Sequence, residues 1–382
     1  MEQILIGGIL AFAITYYSIP VIIKVANEKK LYDVPDDKRK IHTSPIPSLG
    51  GLGMFIGFTI SLLLTVSFFK DAPEFQYYLA AFLVIFFVGI KDDILVLSAG
   101  KKFFGQLLVT GILIYKANLL LTNMHGFLGI YEIPIAAQYV LTVFASVVII
   151  NAFNLIDGVD GLAGSVGLVT SLVFATFFFV NGNMPYALLG YAFSGSLVAF
   201  LIFNFNPAKI FMGDTGSLLI GLVNTILVIK FIESGSSFAA FPLTAAPAVG
   251  FGILLLPLMD TLRVFAMRII KGKSPFSPDR NHIHHLLLDR GFNHKSVTYI
   301  CAGATLLISA ASFYLQFLGT SILIGILITG FFGWIYSLYL RRSRFKLRVI
   351  KGDMDKRVMQ EEKRVRLVSV ANHQAAVVVD ED

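Results

Sequence analysis

Five aspartates stand in short polar motifs of an otherwise apolar chain. The motifs are KDD, NLIDGVDGLAG and FMGDTGS, and the aspartates are Asp92, Asp93, Asp157, Asp160 and Asp214. Mg²⁺ prefers oxygen ligands, and it commonly takes one or two carboxylates together with the phosphates of a substrate. Paired carboxylates also suit general acid–base catalysis. These residue types therefore predict metal-assisted or acid–base chemistry on a phosphate-bearing substrate.

Cationic and imidazole side chains complete this chemistry. The motif SPDRNHIHH contains Arg280, His282, His284 and His285, and Lys102 follows the KDD motif by nine residues. Arginine and lysine bind phosphate oxygens through charge-assisted hydrogen bonds. Zinc is less well supported, since it favours sets of histidine and cysteine and the chain has a single cysteine. Carboxylates and phosphate-binding cations together are typical of phosphoryl transfer, which depends on positioning and charge stabilisation.

Each motif also has a purely structural interpretation. The KDD motif and Lys102 could be interfacial charges at the ends of helices. Asp160 and Asp214 could each be the N-cap of the helix that follows. The histidine motif could be an exposed polar loop. Asp260 and Arg263, which are three residues apart, favour a structural ion pair.

The composition predicts the scaffold that must position these residues. Of 382 residues, 56% are hydrophobic and 14% are charged, and the mean hydropathy is +0.76. A soluble domain carries about 25% charged residues, so the chain is expected to be an all-α integral membrane protein. The single cysteine excludes a disulfide within the chain. The first apolar segment lacks a basic start and a small-residue cleavage pattern, which favours a retained transmembrane helix.

Eleven segments are apolar enough to be candidate transmembrane helices. The ninth contains three prolines and is expected to be bent or broken. Residues 1–340 then form one polytopic domain, and residues 341–382 form a charged cytoplasmic tail. The eleven segments are 3–26, 49–69, 75–97, 103–121, 133–153, 162–181, 184–204, 215–232, 239–269, 296–317 and 319–340.

Basic residues concentrate in alternate loops. Lys38, Arg39 and Lys40 follow the first segment, and Arg341 and Arg342 follow the last. Because cytoplasmic loops carry the excess of lysine and arginine, the N-terminus is expected outside and the C-terminus in the cytoplasm. All polar motifs then lie on the cytoplasmic face, and the longest loop on the other side is 122–132. The same loops account for the net charge of +7, so nucleic acid is not expected as a partner.

Together the motifs resemble those of the polyprenyl-phosphate N-acetylhexosamine-1-phosphate transferases. The resemblance runs from KRKIHTSPIPSLGG through KDD, NLIDGVDGLAG and NFNPAKIFMGDTGS to NHIHH, and it includes the eleven-span layout. It implies transfer of a sugar phosphate from a UDP-linked amino sugar to undecaprenyl phosphate or a similar polyprenyl phosphate, with release of UMP. It further implies a requirement for Mg²⁺, for which Mn²⁺ could substitute. The expected location is the cytoplasmic membrane, in contact with its lipids, with a homodimer as one expected assembly.

The resemblance assigns roles to the residues around the KDD motif. Asp92 matches a proposed base or phosphate-activating group, and Asp93 matches a supporting catalytic carboxylate near the metal. Asp214 matches a magnesium ligand, and Lys102 matches a lysine near phosphate. A covalent aspartyl-phosphate on Asp92 or Asp93 remains an alternative to direct attack by the lipid phosphate.

Further roles follow from the other motifs. Asn154, Asp157 and Asp160 match polar positions near the nucleotide and diphosphate, and the two aspartates join the expected catalytic group. Asn204 matches an asparagine of the nucleotide pocket. The histidine motif is expected to shape the sugar and diphosphate side: His282 as a catalytic residue, and Arg280, His284 and His285 as substrate-binding residues.

The histidine motif also distinguishes branches of the family. SPDRNHIHH resembles members that use UDP-N-acetylglucosamine and initiate O-antigen, teichoic acid or similar cell-envelope glycans. Phospho-N-acetylmuramoyl-pentapeptide transferases usually carry three consecutive histidines, a run that Ile283 interrupts here; this branch remains the alternative. A membrane transporter is an alternative of another class, but it would place its charges near the bilayer midplane and in repeated halves. The motifs here lie at one face, and no internal repeat is evident.

Overall fold

Helices make up most of the chain in the computed structural model, which describes residues 2–31, 46–66, 72–238, 240–274 and 281–340. The predicted tail at 341–382 lies outside these residues. The helices are α1 (Glu2–Lys29), α2 (Gly50–Thr65), α3 (Phe75–Leu95), α4 (Ala99–Tyr115), α5 (Ile135–Ile156), α6 (Leu162–Val180), α7 (Met184–Asn204), α8 (Gly213–Gly235), α9 (Ala246–Ile253), α10 (Leu255–Ile270), α11 (Ile283–Leu288), α12 (His294–Tyr314), with a 3₁₀ turn at Leu315–Leu318, and α13 (Thr320–Leu340).

Helix lies in each of the eleven segments that hydropathy predicts, and the ninth is interrupted at Leu254, between α9 and α10. Pro257 stands in the first turn of α10, where a missing N–H costs no helical hydrogen bond. Seven of the described helices are long and apolar enough to cross a membrane, namely α1, α5, α6, α7, α8, α12 with its 3₁₀ turn, and α13. These helices confirm an all-α, multi-pass membrane architecture. The full count of eleven spans and the orientation stay predictions.

Helix α8 lies at the centre of the bundle. It packs against α2, α3, α5 and α6, and 89% of its most apolar window is buried inside the protein. A helix that is apolar on every side is typical of such a core position. Its N-terminal turn therefore lies among the ends of its neighbours, and this determines which side chains can reach it.

Glycines allow two of these neighbours to approach the first turn of α8 at backbone distance. A Cβ atom added to Gly51 of α2 would overlap the backbone of Gly216. A Cβ atom added to Gly89 of α3 would overlap the backbone of Thr215. Small residues at helix contacts permit this close packing in membrane proteins. The KDD motif, which lies one turn beyond Gly89, is thereby held beside the FMGDTGS motif.

The long loop predicted at 122–132 contains a small antiparallel hairpin, formed by β1 (Asn123–Phe127) and β2 (Ile130–Glu132). It follows α4 and precedes α5, at the end of the bundle opposite the aspartate motifs. Thr320 Oγ1 donates to the carbonyl of His125 at 2.8 Å, and this bond fixes the hairpin to the start of α13.

Candidate active site

The ends of three helices bring together side chains from separate motifs. Lys102, in the first turn of α4, places its Nζ 2.7 Å from Asp92 Oδ2 and 2.6 Å from Asp214 Oδ2. Asp92 belongs to the last turn of α3, and Asp214 to the first turn of α8. We call Asp92, Asp93, Asp157 and Asp214, together with Lys102, the carboxylate cluster. The interfacial-anchor interpretation of Lys102 is wrong, because its ammonium group is turned inward onto two carboxylates.

Asp93 caps the N-terminus of α8 from a different helix. Its Oδ1 accepts the backbone N–H of Asp214 at 2.6 Å. Its Oδ2 accepts the backbone N–H of Thr215 at 3.1 Å and the Thr215 hydroxyl at 2.6 Å. The first N–H groups of a helix have no partner within it, and a negative charge there is favoured by the helix dipole. Both Asp93 oxygens are thus engaged in holding α8.

The N-cap interpretation of Asp214 is wrong. The helix begins one residue earlier, at Gly213, and the residue at the cap position is Met212, which makes no side-chain cap hydrogen bond. Because Asp93 supplies the cap, the Asp214 carboxylate is free to turn towards Lys102. The local sequence around Asp214 does not contain this information, since the cap comes from a residue 121 positions away.

Asp92 is fixed by the turn that follows it. Its Oδ1 accepts the backbone N–H of Leu97 at 2.5 Å, and its Oδ2 contacts Lys102. The Leu97 bond closes the connection between α3 and α4, so Asp92 and Lys102 are held at a constant separation. The Asp92 side chain is only 10% exposed, which strengthens its interaction with the ammonium group.

Asp157 is the carboxylate of the cluster that makes no hydrogen bond or ion pair with the described residues. It directly follows the last residue of α5. Burial, and then the charges of Asp214, Asp93 and Asp160, raise the pKa of Asp157 to about 7. Burial disfavours the charged form of this carboxyl group, and the neighbouring carboxylates add to the effect.

Asp160 and Asn204 lie behind the cluster and hold its supporting loops. Asp160 Oδ2 accepts from Asn206 Nδ2 at 2.8 Å, and the Asp160 carbonyl accepts from the Thr298 hydroxyl at 2.9 Å. Asn204 bridges Gly161 N–H, at 2.9 Å, to the carbonyl of Ile210, also at 2.9 Å. Both side chains are buried. These hydrogen bonds hold the supporting loops, and the expected roles of Asp160 in catalysis and of Asn204 in the nucleotide pocket stay predictions. Asp160 also does not cap α6: the N-cap position is Gly161, and no side chain caps the helix.

Asn154 connects two of the helices that form the site. Its Nδ2 donates to Ser217 Oγ at 2.9 Å, which joins the last turns of α5 to the first turns of α8. The predicted nucleotide-side position is thus brought next to the FMGDTGS motif, as the sequence suggested.

His282 belongs to a buried polar network with Asp260 and Arg263. Its Nδ1 lies 2.9 Å from Asp260 Oδ2, and Asp260 Oδ1 accepts from Arg263 at 2.8 Å and from Ile283 N–H at 2.9 Å. The predicted ion pair of Asp260 and Arg263 is confirmed. This network fixes the start of α11, so the exposed-loop interpretation of the histidine motif is wrong for its first histidine.

His284 packs against the NLIDGVDGLAG motif. A Cβ atom on Gly158 would lie 2.5 Å from His284 Nε2, so the imidazole packs directly on the backbone next to Asp157. Burial, and then the charge of His285, lower the pKa of His284 to about 3, which keeps its ring neutral. His284 Nδ1 is buried, and none of the described residues forms a hydrogen bond with it. The third histidine, His285, is half-exposed, and Arg280 lies outside the described residues.

Two supporting residues had no signal in the sequence. His294, at the start of α12, places its Nδ1 3.6 Å from Asp160 Oδ1. Thr298, one helical turn later, donates to the carbonyl of Asp160. A lone histidine and a lone threonine at the start of a helix form no recognisable motif. Their contribution is visible only because α12 packs against the loop between α5 and α6.

The donor set of the cluster fits a hard divalent cation. Within the described ranges, no group of three or more histidine, cysteine or acidic side chains is close enough to form a metal site by itself. Mg²⁺ does not need such a group, because it usually keeps several waters and uses one or two carboxylates with substrate phosphates. The cluster holds four carboxylates and one ammonium group, which contacts Asp92 and Asp214, and the pKa of Asp157 is raised first by burial and then by its negative neighbours. Asp93, expected near the metal together with Asp214, has both oxygens engaged at the start of α8, which leaves Asp157 and Asp214 as the carboxylates that could hold a cation.

Comparison with known proteins identifies the family to which the chain is similar. The model of glycosyl transferase family 4 matches residues 75–232, which include the whole carboxylate cluster. The undecaprenyl-phosphate alpha-N-acetylglucosaminyl 1-phosphate transferase of Yersinia pestis is 32% identical over 349 residues, covering 87% of this chain and 92% of that protein. The protein of the same name from Escherichia coli (strain K12) is 30% identical, covering 86% and 91%. The decaprenyl-phosphate N-acetylglucosaminephosphotransferase of Mycobacterium leprae is 29% identical, covering 90% and 93%.

Proposed function

The chain belongs to the polyprenyl-phosphate N-acetylhexosamine-1-phosphate transferases of glycosyl transferase family 4, and we propose that it transfers N-acetylglucosamine-1-phosphate from UDP-N-acetylglucosamine to undecaprenyl phosphate. UMP is the second product. The observation that carries this proposal is the Lys102 ammonium group held between Asp92 and Asp214, at the joined ends of α3, α4 and α8. This is a charged, partly enclosed site for a diphosphate at one end of a membrane bundle.

Lys102 is the residue best suited to bind the diphosphate. An ammonium group is a compact point charge with three donors, and two of these point to Asp92 and Asp214. The side chain is 24% exposed, so it remains accessible to an arriving phosphate oxygen. Asp92 fixes the lysine through its own bond to Leu97 N–H, which holds the cation in place before substrate binds.

The geometry favours direct attack over a covalent aspartyl-phosphate. Both oxygens of Asp93 hold the first turn of α8, and those of Asp92 hold Leu97 N–H and Lys102. An oxygen of the lipid phosphate would attack the β-phosphorus of the UDP-sugar, and the bond from that phosphorus to UMP would break. A phosphate monoester has a second pKa of about 6, so it is largely ionised at neutral pH without a base. Asp92 then acts by positioning Lys102.

Asp157 and Asp214 would hold Mg²⁺. The cation would supply neutralisation of the diphosphate charge, and Mn²⁺ would substitute because it accepts the same oxygen ligands. Asp93 contributes by holding the backbone of Asp214, and therefore the orientation of its carboxylate. His284, packed on Gly158, would limit how far the segment next to Asp157 can move.

The proposal also covers the sugar, the membrane side and the assembly. The relatives, which are N-acetylglucosamine-1-phosphate transferases by name, favour N-acetylglucosamine over the muramoyl-pentapeptide of the alternative branch. We propose the cytoplasmic membrane as the location, with the carboxylate cluster on its cytoplasmic face, because the basic loops lie at that end. A cell-envelope glycan such as O-antigen or teichoic acid is the proposed destination of the product, and a homodimer the proposed assembly.

A reconstituted assay tests the proposal. The full chain in lipid nanodiscs is given undecaprenyl phosphate, Mg²⁺ and a panel of UDP-sugars, and both UMP and the lipid-linked product are measured. UMP release with UDP-N-acetylglucosamine is expected, with little from UDP-N-acetylmuramoyl-pentapeptide. Lys102→Ala should abolish most turnover, whereas Lys101→Ala, its exposed neighbour, should not. Absence of UMP with every UDP-amino sugar would favour a transporter instead.

A further inference from the structure

A polar cavity lies at the opposite ends of α3, α4 and α8, the helices that carry Asp92, Lys102 and Asp214. It has a volume of about 580 Å³ and is lined by Glu74 before α3, Lys116 after α4, and Lys230 and Glu233 near the end of α8. We call it the far cavity. Asp214 and Lys230 are 16 residues apart on α8, which corresponds to roughly 24 Å along the helix axis. The far cavity is therefore separate from the transferase site and faces the other side of the membrane.

Two buried tyrosines form the floor of the far cavity. The hydroxyl oxygens of Tyr78 and Tyr186 are 2.8 Å apart, and the Tyr186 hydroxyl donates to Glu74 Oε1 at 3.0 Å. Lys230 Nζ lies 5.1 Å from the centroid of the Tyr186 ring. This network links α3, α7 and α8, and it fixes one carboxylate and one ammonium group at the wall of the cavity.

The charges around the cavity do not neutralise one another by direct contact. In the part of the chain that the structure describes, neither Lys116 nor Lys230 forms an ion pair with Glu74 or Glu233. Glu233 is occupied by the backbone N–H and the hydroxyl of Thr122, at 2.9 and 2.7 Å. Two ammonium groups are thus left facing the cavity, together with the second oxygen of Glu74. A simple anion would meet two carboxylates and a simple cation would meet two lysines, so a ligand with both charges fits best.

The position of the cavity matches the level of lipid headgroups. Tyr115, next to Lys116, is 76% exposed and stacks on Tyr139, with ring centroids 5.7 Å apart. Exposed tyrosines of this kind mark the interface between a bilayer and water. A ligand reaching this cavity from the bilayer would carry its polar group at this level, where Lys116 and Lys230 lie.

We propose that the far cavity binds the headgroup of an aminophospholipid, of which phosphatidylethanolamine is the simplest representative. Its phosphate would be bound by Lys116 and Lys230, and its primary ammonium group by the second oxygen of Glu74. Primary ammonium groups donate hydrogen bonds, which a quaternary ammonium group cannot do. The site therefore distinguishes phosphatidylethanolamine from phosphatidylcholine, and its carboxylates disfavour phosphatidylglycerol.

Lipid titration of the full chain tests this proposal. Delipidated protein in a neutral detergent is titrated with each of the three phospholipids, and bound lipid is counted by native mass spectrometry alongside thermal unfolding. Phosphatidylethanolamine should bind tightest and raise the unfolding temperature most. Glu74→Gln and Lys230→Ala should each weaken its binding by about tenfold, the loss expected for one charge-assisted hydrogen bond. Lys271→Ala, at an exposed position near the other face, is the matched control and should bind like the parent.

Folding and binding are separated by two further measurements. Glu74→Gln keeps an oxygen that can accept from Tyr186, so it tests the charge with little disturbance of the network. UMP release in detergent without phosphatidylethanolamine should be unchanged in both variants, because the far cavity lies far from the carboxylate cluster. Equal binding of all three phospholipids would overturn the proposal, as would parent-like binding of phosphatidylethanolamine by Glu74→Gln and Lys230→Ala.

Discussion

Replacing Asp93 by asparagine should loosen the first turn of α8 and displace Asp214. Asp93 accepts three hydrogen bonds, from Asp214 N–H, Thr215 N–H and the Thr215 hydroxyl. Asparagine has one acceptor oxygen, and its NH₂ group would face donors. Loss of an N-cap costs about 0.5–2 kcal/mol, and loss of a hydrogen bond to a charged group costs about 1.5–3 kcal/mol. We expect about 2–4 kcal/mol of lost unfolding free energy, partly offset by relaxation of the turn.

The effect on activity should follow from the displacement of Asp214. A shift of about 1 Å at a catalytic group can cost about 100-fold in rate, so turnover should fall by that order while the KM for the UDP-sugar changes less. Thermal unfolding and steady-state UMP release on the same preparation measure the two effects. Thr215→Val removes only the hydroxyl bond and should lose about 1 kcal/mol, whereas Thr215→Ser keeps that bond and is the matched control.

If Asp93 acts by capping α8, the Asp93→Asn variant must lose both stability and turnover. An Asp93→Asn variant with unchanged stability but no activity would refute this reasoning, because it would make Asp93 a direct participant in the chemistry. An unchanged turnover with lowered stability would refute the dependence of Asp214 on the cap. Thr215→Val should lie between Asp93→Asn and the parent in both measurements.

Three other perturbations should give defined results. Lys102→Arg should retain a small part of the turnover, about 1% or more, because it keeps the charge but not the compact geometry that fits between two carboxylates. In the absence of divalent cations, the unfolding free energy should fall as pH rises from about 4 to 7, because the pKa of Asp157 is raised in the folded protein to about 7. Thermal unfolding against pH measures this fall. The part of the fall that is due to Asp157 should disappear in Asp157→Asn. Mg²⁺ affinity, measured by calorimetry, should rise over the same range, since the metal displaces the proton. Gly158→Ala should lower turnover about tenfold or more, because its Cβ would lie 2.5 Å from His284 Nε2. Gly111→Ala is the control: its Cβ would have no described atom within 4 Å, so UMP release should not change.

The helices and the grouping of the motifs could be predicted from the sequence. Long apolar runs determine where helix forms in a membrane, because every backbone polar group must be satisfied within the segment. Alternating basic loops then indicate which ends share a face. These two rules predict that KDD, NLIDGVDGLAG and FMGDTGS lie at the same end of the bundle. In the structure, Asp92 and Asp214 share one lysine, and the charges of Asp214 and Asp93 contribute, after burial, to the raised pKa of Asp157.

The roles of individual carboxylates could not be predicted in the same way. Capping is usually sought in the residue next to a helix, and this rule selected Asp214 instead of Asp93. The resemblance places Asp160 and Asn204 near the substrate, yet Asp160 accepts a hydrogen bond from Asn206, 46 residues away, and Asn204 accepts one from Gly161, 43 residues away. The hairpin is formed by strands of only five and three residues, Asn123–Phe127 and Ile130–Glu132, which are too short to show a strand pattern in the sequence. For Asp93, Asp160 and Asn204, the hydrogen-bond partner that fixes the side chain lies on another helix or loop.

The cap on α8 also has a consequence for how the chain is assembled during synthesis. Asp93 precedes Asp214 by 121 positions, so α3 leaves the ribosome before α8 does. Chains are synthesised from the N-terminus onwards, so the Asp93 carboxylate is already present when α8 is made. It can then accept the first backbone N–H groups of α8, which have no partner within the helix. The first turn of α8, with no cap in its own flanking sequence, becomes complete by docking onto an earlier helix. Maturation of the transferase site is in this sense a late event, coupled to insertion of the eighth segment.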